Sequence, residues 1–297
     1  MTVFAVRHVT TYRYHRPVGF GEHQLMFRPR DSPDQRLCDA ALVVEPAPSA
    51  VRWVQDVFGN CVTRVRLSQR GRELRFTSRI RVEHTPSTAP DLAIDPAALI
   101  YPFAYDAEEA ADLAPSMRMQ HPDDEVGRWA QRFLRVGRPS ETGHLLMTLC
   151  YAIHESFVYS RRLERGTQPP ALTLRLRRGT CRDFALLMIE AVRSLGFAAR
   201  FVSGYLYVPD RDDPGVQGGG ATHAWCQVYL PGAGWVEFDP TNGIVGSRDL
   251  VRVAVARTPQ QAVPLTGSYD GAAADFAGMT VQVTVTTEPT DGATARG

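Results

Sequence analysis

The segment Gly179-Thr180-Cys181-Arg182-Asp183-Phe184-Ala185-Leu186-Leu187-Met188 decides how this chain is read. Thr180-x-x-Asp183 has the form of a helix N-cap followed, at the third helical position, by an acidic residue that reaches back to it. Beyond it Phe184, Leu187, Met188, Ala191 and Leu195 recur at helical spacing, and Gly196 marks the stop. Cys181 precedes Phe184 by three positions and Met188 by seven, so its thiol shares the apolar stripe and points inward from the first turn. Free backbone N–H groups and the helix dipole favour a thiolate there, and the same N–H groups could hold an oxyanion. A buried cysteine is commonly inert, however. This one becomes a nucleophile only if the fold supplies a base.

The downstream sequence offers one. Phe197–Val208 reads as a strand with Gly204 inside it, and Pro209–Ala221, with Gly218-Gly219-Gly220, as a loop leading into His223. That loop lacks G-x-x-x-x-G-K-[ST], which excludes a phosphate loop, and it reads equally as a lid or as a plain surface loop. Thr222–Leu230 and Trp235–Asp239 read as two strands of a hairpin around Pro231-Gly232-Ala233-Gly234. Side-chain parity then makes a sharp demand. A four-residue loop pairing Leu230 with Trp235 puts Asp239 opposite Cys226, on the wrong face for His223. An odd loop pairing Leu230 with Gly234 puts Asp239 opposite Trp225 and diagonal to His223, within reach of a carboxylate–imidazole bond. Cys181, His223 and Asp239 would then act as nucleophile, base and orienter, with Trp225 shielding the bond from water. A metal site from Cys181, His223 and Cys226 is disfavoured, because Cys226 faces away from His223 by the same parity.

Residues 1–85 read as an antiparallel β domain. Val51–Val57 and Cys61–Ser68 flank the turn signal Phe58-Gly59-Asn60, and Glu73–His84 alternates strictly between apolar and Arg/Thr positions. Residues 86–123 are rich in Pro, Ala and Asp and read as a connecting segment, with a short helix near Pro96–Ile100. The core, 124–262, opens with helical patterns over Asp124–Val136 and Glu141–Phe157. His144 and His154 on the second of these read as filler. An Arg-rich passage follows, Arg161 to Arg182, as a solvated basic face or a positive rim for acidic substrates. Residues 263–297 read as a C-terminal strand, Thr280–Thr286, and a disordered polar tail from Thr287.

Bulk properties bound the rest. At 297 residues, 44% hydrophobic, 22% charged and a formal net charge of +1, nothing calls for nucleic acid or an anionic membrane as partner. No apolar run is long enough to span a membrane, and Met1–Tyr14 lacks the apolar core of a signal peptide, so a cytoplasmic location is expected. Five cysteines without a C-x-x-C pair argue against a disulfide framework and a zinc site. All the basic side chains besides His are Arg, so a lysine-directed acyltransferase could not cross-link itself.

Gly179-Thr180-Cys181-Arg182-Asp183-Phe184, Val202-Ser203-Gly204-Tyr205, Thr222-His223-Ala224-Trp225 and Phe238-Asp239-Pro240-Thr241-Asn242-Gly243 together resemble the core of the bacterial transglutaminase-like family. Tyr12–Tyr14, His23 to Pro29-Arg30, and Asp56-Val57-Phe58-Gly59-Asn60 resemble the β domain that precedes that core. The resemblance implies an α+β protein: a β-sandwich-like domain before a papain-like core, with Cys181 as nucleophile, His223 as base and Asp239 as orienter. Ala256-Arg257-Thr258-Pro259 departs from the Gly-Arg-Asp-Tyr-like stretch usual in the family. The expected activity is cysteine-dependent hydrolysis of a peptide or amide through a thioester, ahead of acyl transfer to an amine and of a non-catalytic peptide-binding module. A peptide or protein is the expected partner, and no cofactor or metal is expected. Tyr159, Arg182 and Trp225 are secondary candidates for substrate or oxyanion contact. The β domain either roofs the cleft or makes a dimer contact.

Overall fold

The computed structural model describes residues 1–85, 92–135, 137–162, 164, 166–209 and 221–288. Six strands come first: β1 (Thr2–Phe20), β2 (His23–Arg28), β3 (Gln35–Glu45), β4 (Ala50–Gln55), β5 (Cys61–Arg66) and β6 (Gly71–His84). The expected turn at Phe58-Gly59-Asn60 joins β4 to β5. β1 is the spine of the larger sheet, paired antiparallel with β6 on one side. Leu74, Phe76, Ile80 and Val82 of β6 are buried, as the alternation requires. Tyr14, Phe20, Leu25, Phe27, Val65 and Phe76 fill the space between this sheet and the β2–β5–β4 sheet, which makes the sandwich.

The segment read as a connection holds more structure than its pattern suggests. After a 3-10 turn at Pro96–Ala98 and the short β7 (Ile100–Tyr101), α1 (Ala107–Met117) forms behind an N-cap at Asp106, whose Oδ1 accepts from the Glu108 N–H at 2.9 Å. Leu113 is its single buried residue, so no 3.6-residue stripe exists to announce it. Residues 86–91 lie outside the described part.

The core follows with α2 (Asp124–Gln131), β8 (Ser140–Glu141), α3 (Thr142–Ser156), β9 (Val158–Tyr159), α4 (Pro170–Leu176), β10 (Arg178–Gly179) and α5 (Cys181–Ser194). β11 (Ala199–Leu206), β12 (His223–Leu230), β13 (Gly234–Asp239), β14 (Ile244–Val245) and β15 (Leu250–Ala256) form one antiparallel sheet in the order β14-β13-β12-β11-β15. Ala224, Cys226, Val228 and Phe238 face the helices, where they meet Ala185, Met188, Ile189 and Val192 of α5. Among the described residues no helix is long and apolar enough to cross a membrane.

The opposite face of this sheet receives the β domain. Phe4, Val6, Ile80 and Val82 pack on Tyr205, Val251 and Val253. Asn60 exchanges two bonds with the backbone of Val255, at 2.7 and 2.9 Å, and so occupies part of an otherwise open sheet edge. The C-terminal segment, β16 (Leu265–Thr266), β17 (Tyr269–Asp270) and β18 (Phe276–Glu288), returns to the N-terminal sandwich. β18 runs antiparallel along β1 from Val3↔Glu288 to Tyr14↔Phe276, covering the flank that β6 leaves open. The expected closing strand is therefore longer than read, and Thr287 and Glu288 belong to it rather than to a tail. Residues 289–297 lie outside the described part.

Candidate active site

α5 starts where the capping pattern placed it. The fully buried Asp183 carboxylate curls back so that Oδ2 accepts from both the N–H and the hydroxyl of Thr180, each at 2.8 Å. Arg162 and the Gln168 N–H complete its shell, at 2.9 and 2.7 Å. Burial of a carboxylate is costly without such partners, and Asp183 has them all around. The result is a rigid N-terminus with Cys181, 6% exposed, in the first turn. β9 and β10 pair in parallel with Tyr159 opposite Gly179, which holds the loop ahead of Cys181.

The hairpin adopts the odd loop that parity demands. Leu230 pairs with Gly234 and Cys226 with Phe238, which carries Asp239 on to the position opposite Trp225. The Ala233 N–H closes the turn onto Leu230 O at 3.1 Å. His223 and Asp239 thus share one face, and Nε2 of the imidazole lies 2.7 Å from Oδ2 of the carboxylate, with both side chains wholly buried. Asp239 Oδ1 accepts from the Thr241 N–H at 2.9 Å, and Asn242 Nδ2 donates to Oδ2 at 2.8 Å. His154, read as filler, donates from Nδ1 to Thr241 O at 2.9 Å and so braces the turn that carries these donors.

Trp225 lies behind the imidazole, its ring 5.9 Å away and tilted by 27°, and its indole N–H donates to Glu237 at 2.5 Å. Gly204 is required by this arrangement: a Cβ there would stand 2.7 Å from the Trp225 ring and collide with the Val251 carbonyl.

Burial by itself would strip the proton from His223. The Asp239 charge and hydrogen bond, with the adjacent Cys181, outweigh it and push the imidazole up to about pKa 10. Burial likewise opposes ionisation of Asp239, and His223, Asn242 and the Thr241 N–H overcome it, holding the carboxyl below its ordinary value. Nε2 is committed to Asp239, so Nδ1, buried and without a well-formed hydrogen bond, is the nitrogen left for the thiol. Cys181 and His223 line one cavity of about 200 Å³, together with Arg162, Glu164, Gly166, Thr180, Arg182 and Thr222.

The secondary candidates fare differently. Tyr159 lies within electrostatic reach of Cys181; burial first, and then that thiol, raise its phenol above the usual value. Arg182 lines the cavity, but its guanidinium is committed elsewhere, to Pro259 O at 2.7 Å and over the Phe201 ring at 4.9 Å. Of the Arg-rich passage, Arg162 is tied to Asp183 and Arg175 to Glu125. No residue of 1–85 lines the cavity among the described residues, so the β domain packs behind the sheet instead of roofing the thiol. The glycine loop from 210 to 220, read as lid or surface loop, lies outside the described residues. Cys226 faces the helices and its thiol turns to Phe238 O, as parity required. Among the described residues no group of three His, Cys, Asp or Glu is placed to hold a metal ion.

Sequence comparison agrees with this architecture. Residues 4–83 match the model of the bacterial transglutaminase-like N-terminal region, and residues 128–240 that of the transglutaminase-like superfamily. The chain belongs to the bacterial transglutaminase-like family. An uncharacterized protein of Mycobacterium tuberculosis is 29% identical over 277 residues, covering 89% of this chain and 86% of that one. A Mycobacterium leprae protein is 29% identical over 299 residues, 94% of this chain and 97% of its own. A solved structure from Cytophaga hutchinsonii, named as a candidate cysteine protease, superposes with a TM-score of 0.73 at 19% identity, covering 98% of this chain and 92% of its own. It shares the transglutaminase-like, cysteine-protease-like fold across both parts of the molecule.

Proposed function

We propose that the protein is a cysteine-dependent amide or peptide-bond hydrolase working through a thioester acyl-enzyme on a peptide or protein. One observation carries this reading: an imidazole held by a buried carboxylate at Nε2 shares a small cavity with a thiol at a helix N-terminus. Cys181 Sγ attacks the amide carbonyl while the protonated His223 gives its Nδ1 proton to the departing amine. The neutral imidazole then takes a proton from water, and the hydroxide adds to the thioester carbon. Collapse of that adduct expels the thiolate and frees the carboxylic acid. The first-turn N–H groups of α5 are the oxyanion donors in this scheme. Asp239 fixes the ring and stabilises its charged form. A cytoplasmic location belongs to the same proposal, on the five cysteines, all of them free.

The test is acylation by p-nitrophenyl acetate followed by intact-mass and peptide mapping. An acetyl group on Cys181 is expected in the wild type, none in Cys181→Ser, and one that forms far more slowly in His223→Ala. No adduct in any of them would contradict the reading. Added glycinamide separates the acyl acceptors: release as acetate marks hydrolysis, and release as acetylglycinamide marks acyl transfer.

A further inference from the structure

A second cavity lies on the β-domain side of the core sheet, about 670 Å³ in volume and with no wall residue in common with the Cys181 cavity. That is within the roughly 300–1,000 Å³ range of small-molecule sites. Arg30, Arg200 and Arg252 all line it, and they do not share one role. Arg252 is neutralised: Nη1 meets Glu237, and Nη2 meets Asp34 Oδ1 at 2.7 Å and Ser32 Oγ at 2.7 Å. Arg30 gives Nη1 to the carbonyl of Phe58 at 2.8 Å, and Arg200 gives Nε to Gln227 Oε1 at 2.6 Å. Among the described residues neither of these two has a carboxylate at ion-pair distance.

Like charges drawn together in a partly dry space are held at a cost unless an anion joins them. Burial first, and then the neighbouring Arg252 and Arg30, lower the Arg200 pKa to about 9 despite Glu237. Arg200 is also preorganised. Its guanidinium lies over the Trp235 ring at 4.0 Å and Nε is tied down, so the plane is fixed, and among the described residues the Nη atoms have no hydrogen-bond partner, which suits in-plane, two-pronged bonding. Asp31, Asp34 and Glu237 in the same wall would repel a dianion. The three carboxylates match the three arginines in formal charge, so the grip on an anion rests on Arg200 and Arg30, which have no carboxylate at ion-pair distance among the described residues, and only a singly charged ligand is tolerated.

We propose that this cavity is a second binding site, taking a small organic carboxylate whose anion is gripped by Arg200 and Arg30. The test is calorimetric titration of the full chain with N-acetylglycine, inorganic phosphate and neutral N-acetylglycinamide. Saturable binding of N-acetylglycine is expected in the wild type and equally in Cys181→Ser, with phosphate weaker and the amide silent. Arg200→Gln and Arg30→Gln are each expected to weaken it about tenfold or more, the loss of a charge-assisted bond. Should Arg200→Gln unfold by circular dichroism, Arg30→Gln carries the test, its contact being a surface-turn carbonyl. The proposal is overturned if the wild type binds no N-acetylglycine saturably, if phosphate binds tighter, if the amide binds as well, or if a folded variant binds undiminished. Because Cys181→Ser leaves the cavity walls untouched, failure here and failure of the proposed hydrolase are separate results.

Discussion

The two ends of α5 each hold a buried pair of ionisable groups, and they differ in one atom. At the C-terminal end Glu190 and Arg193 are wholly buried and 2.8 Å apart. Glu190 Oε2 accepts from the N–H groups of Gln120 and His121, at 2.8 and 2.7 Å. Arg193 spends its remaining donors on the carbonyls of Ser116, Ala199 and Arg257. Every side-chain nitrogen and oxygen of the pair has a partner, and the pair ties the segment after α1 to β11 and to the chain beyond β15. At the N-terminal end His223 and Asp239 are as deeply buried and closer, yet His223 Nδ1 is left without a well-formed bond beside a thiol. A satisfied buried network holds a fold together. A network satisfied everywhere except at one nitrogen, in a cavity, is poised for proton transfer.

Removing the thiol should break the comparison most completely. Cys181→Ser is expected to abolish ester and amide turnover by about 10⁴-fold or more while thermal melting changes little. Asp239→Asn comes next, with kcat/KM on wild-type substrates reduced on the order of 10³–10⁴-fold, because the ring loses its orienter and its countercharge. At the other end of the helix the effect should be on stability instead. Arg193→Met strands Glu190 and is expected to cost about 3–5 kcal/mol in denaturant melts, and the double change Glu190→Leu/Arg193→Met to recover much of it. The folded fraction of either variant should keep wild-type turnover per molecule. Asn242→Ala removes one donor to Asp239, and a loss of about 1 kcal/mol in transition-state stabilisation, a few-fold in kcat/KM, is expected.

Alkaline pH sharpens the same contrast. The His223 pKa is raised on folding from 6.5 to about 10. Its contribution to stability is therefore complete below about pH 6.5 and lost as pH rises through about 10. The melting-temperature gap between wild type and Asp239→Asn should shrink over that window, and turnover should fall on the same limb as the leaving group loses its acid. A gap that widens toward pH 10 would contradict the assignment.

The N-terminal end was legible in the sequence because each of its parts is local. Thr180, Cys181 and Asp183 sit within four residues, and the His223–Asp239 diagonal follows from strand parity once the loop is odd. The resemblance to the bacterial transglutaminase-like family rested on these same residues. The C-terminal end was not legible. Glu190 and Arg193 at i, i+3 look like a solvated surface pair, and only the packing of distant segments buries them. α1 escaped for want of an apolar stripe, and β18 was cut short because its pairing with β1 spans nearly the whole chain. Arg252 likewise reads as an ordinary strand arginine, although its partner Asp34 is 218 positions away.

The central claim is that Cys181 and His223 act as one acid–base unit, and the pH dependence of Cys181 alkylation by iodoacetamide tests it most directly. In the wild type, rapid single-site alkylation is expected to persist at about pH 6, far below the range in which a free thiol reacts. His223→Ala should lose this reactivity and Asp239→Asn weaken it. If all three proteins instead react along the curve of an ordinary thiol, no ion pair exists at the head of α5, and the proposed hydrolase falls with it.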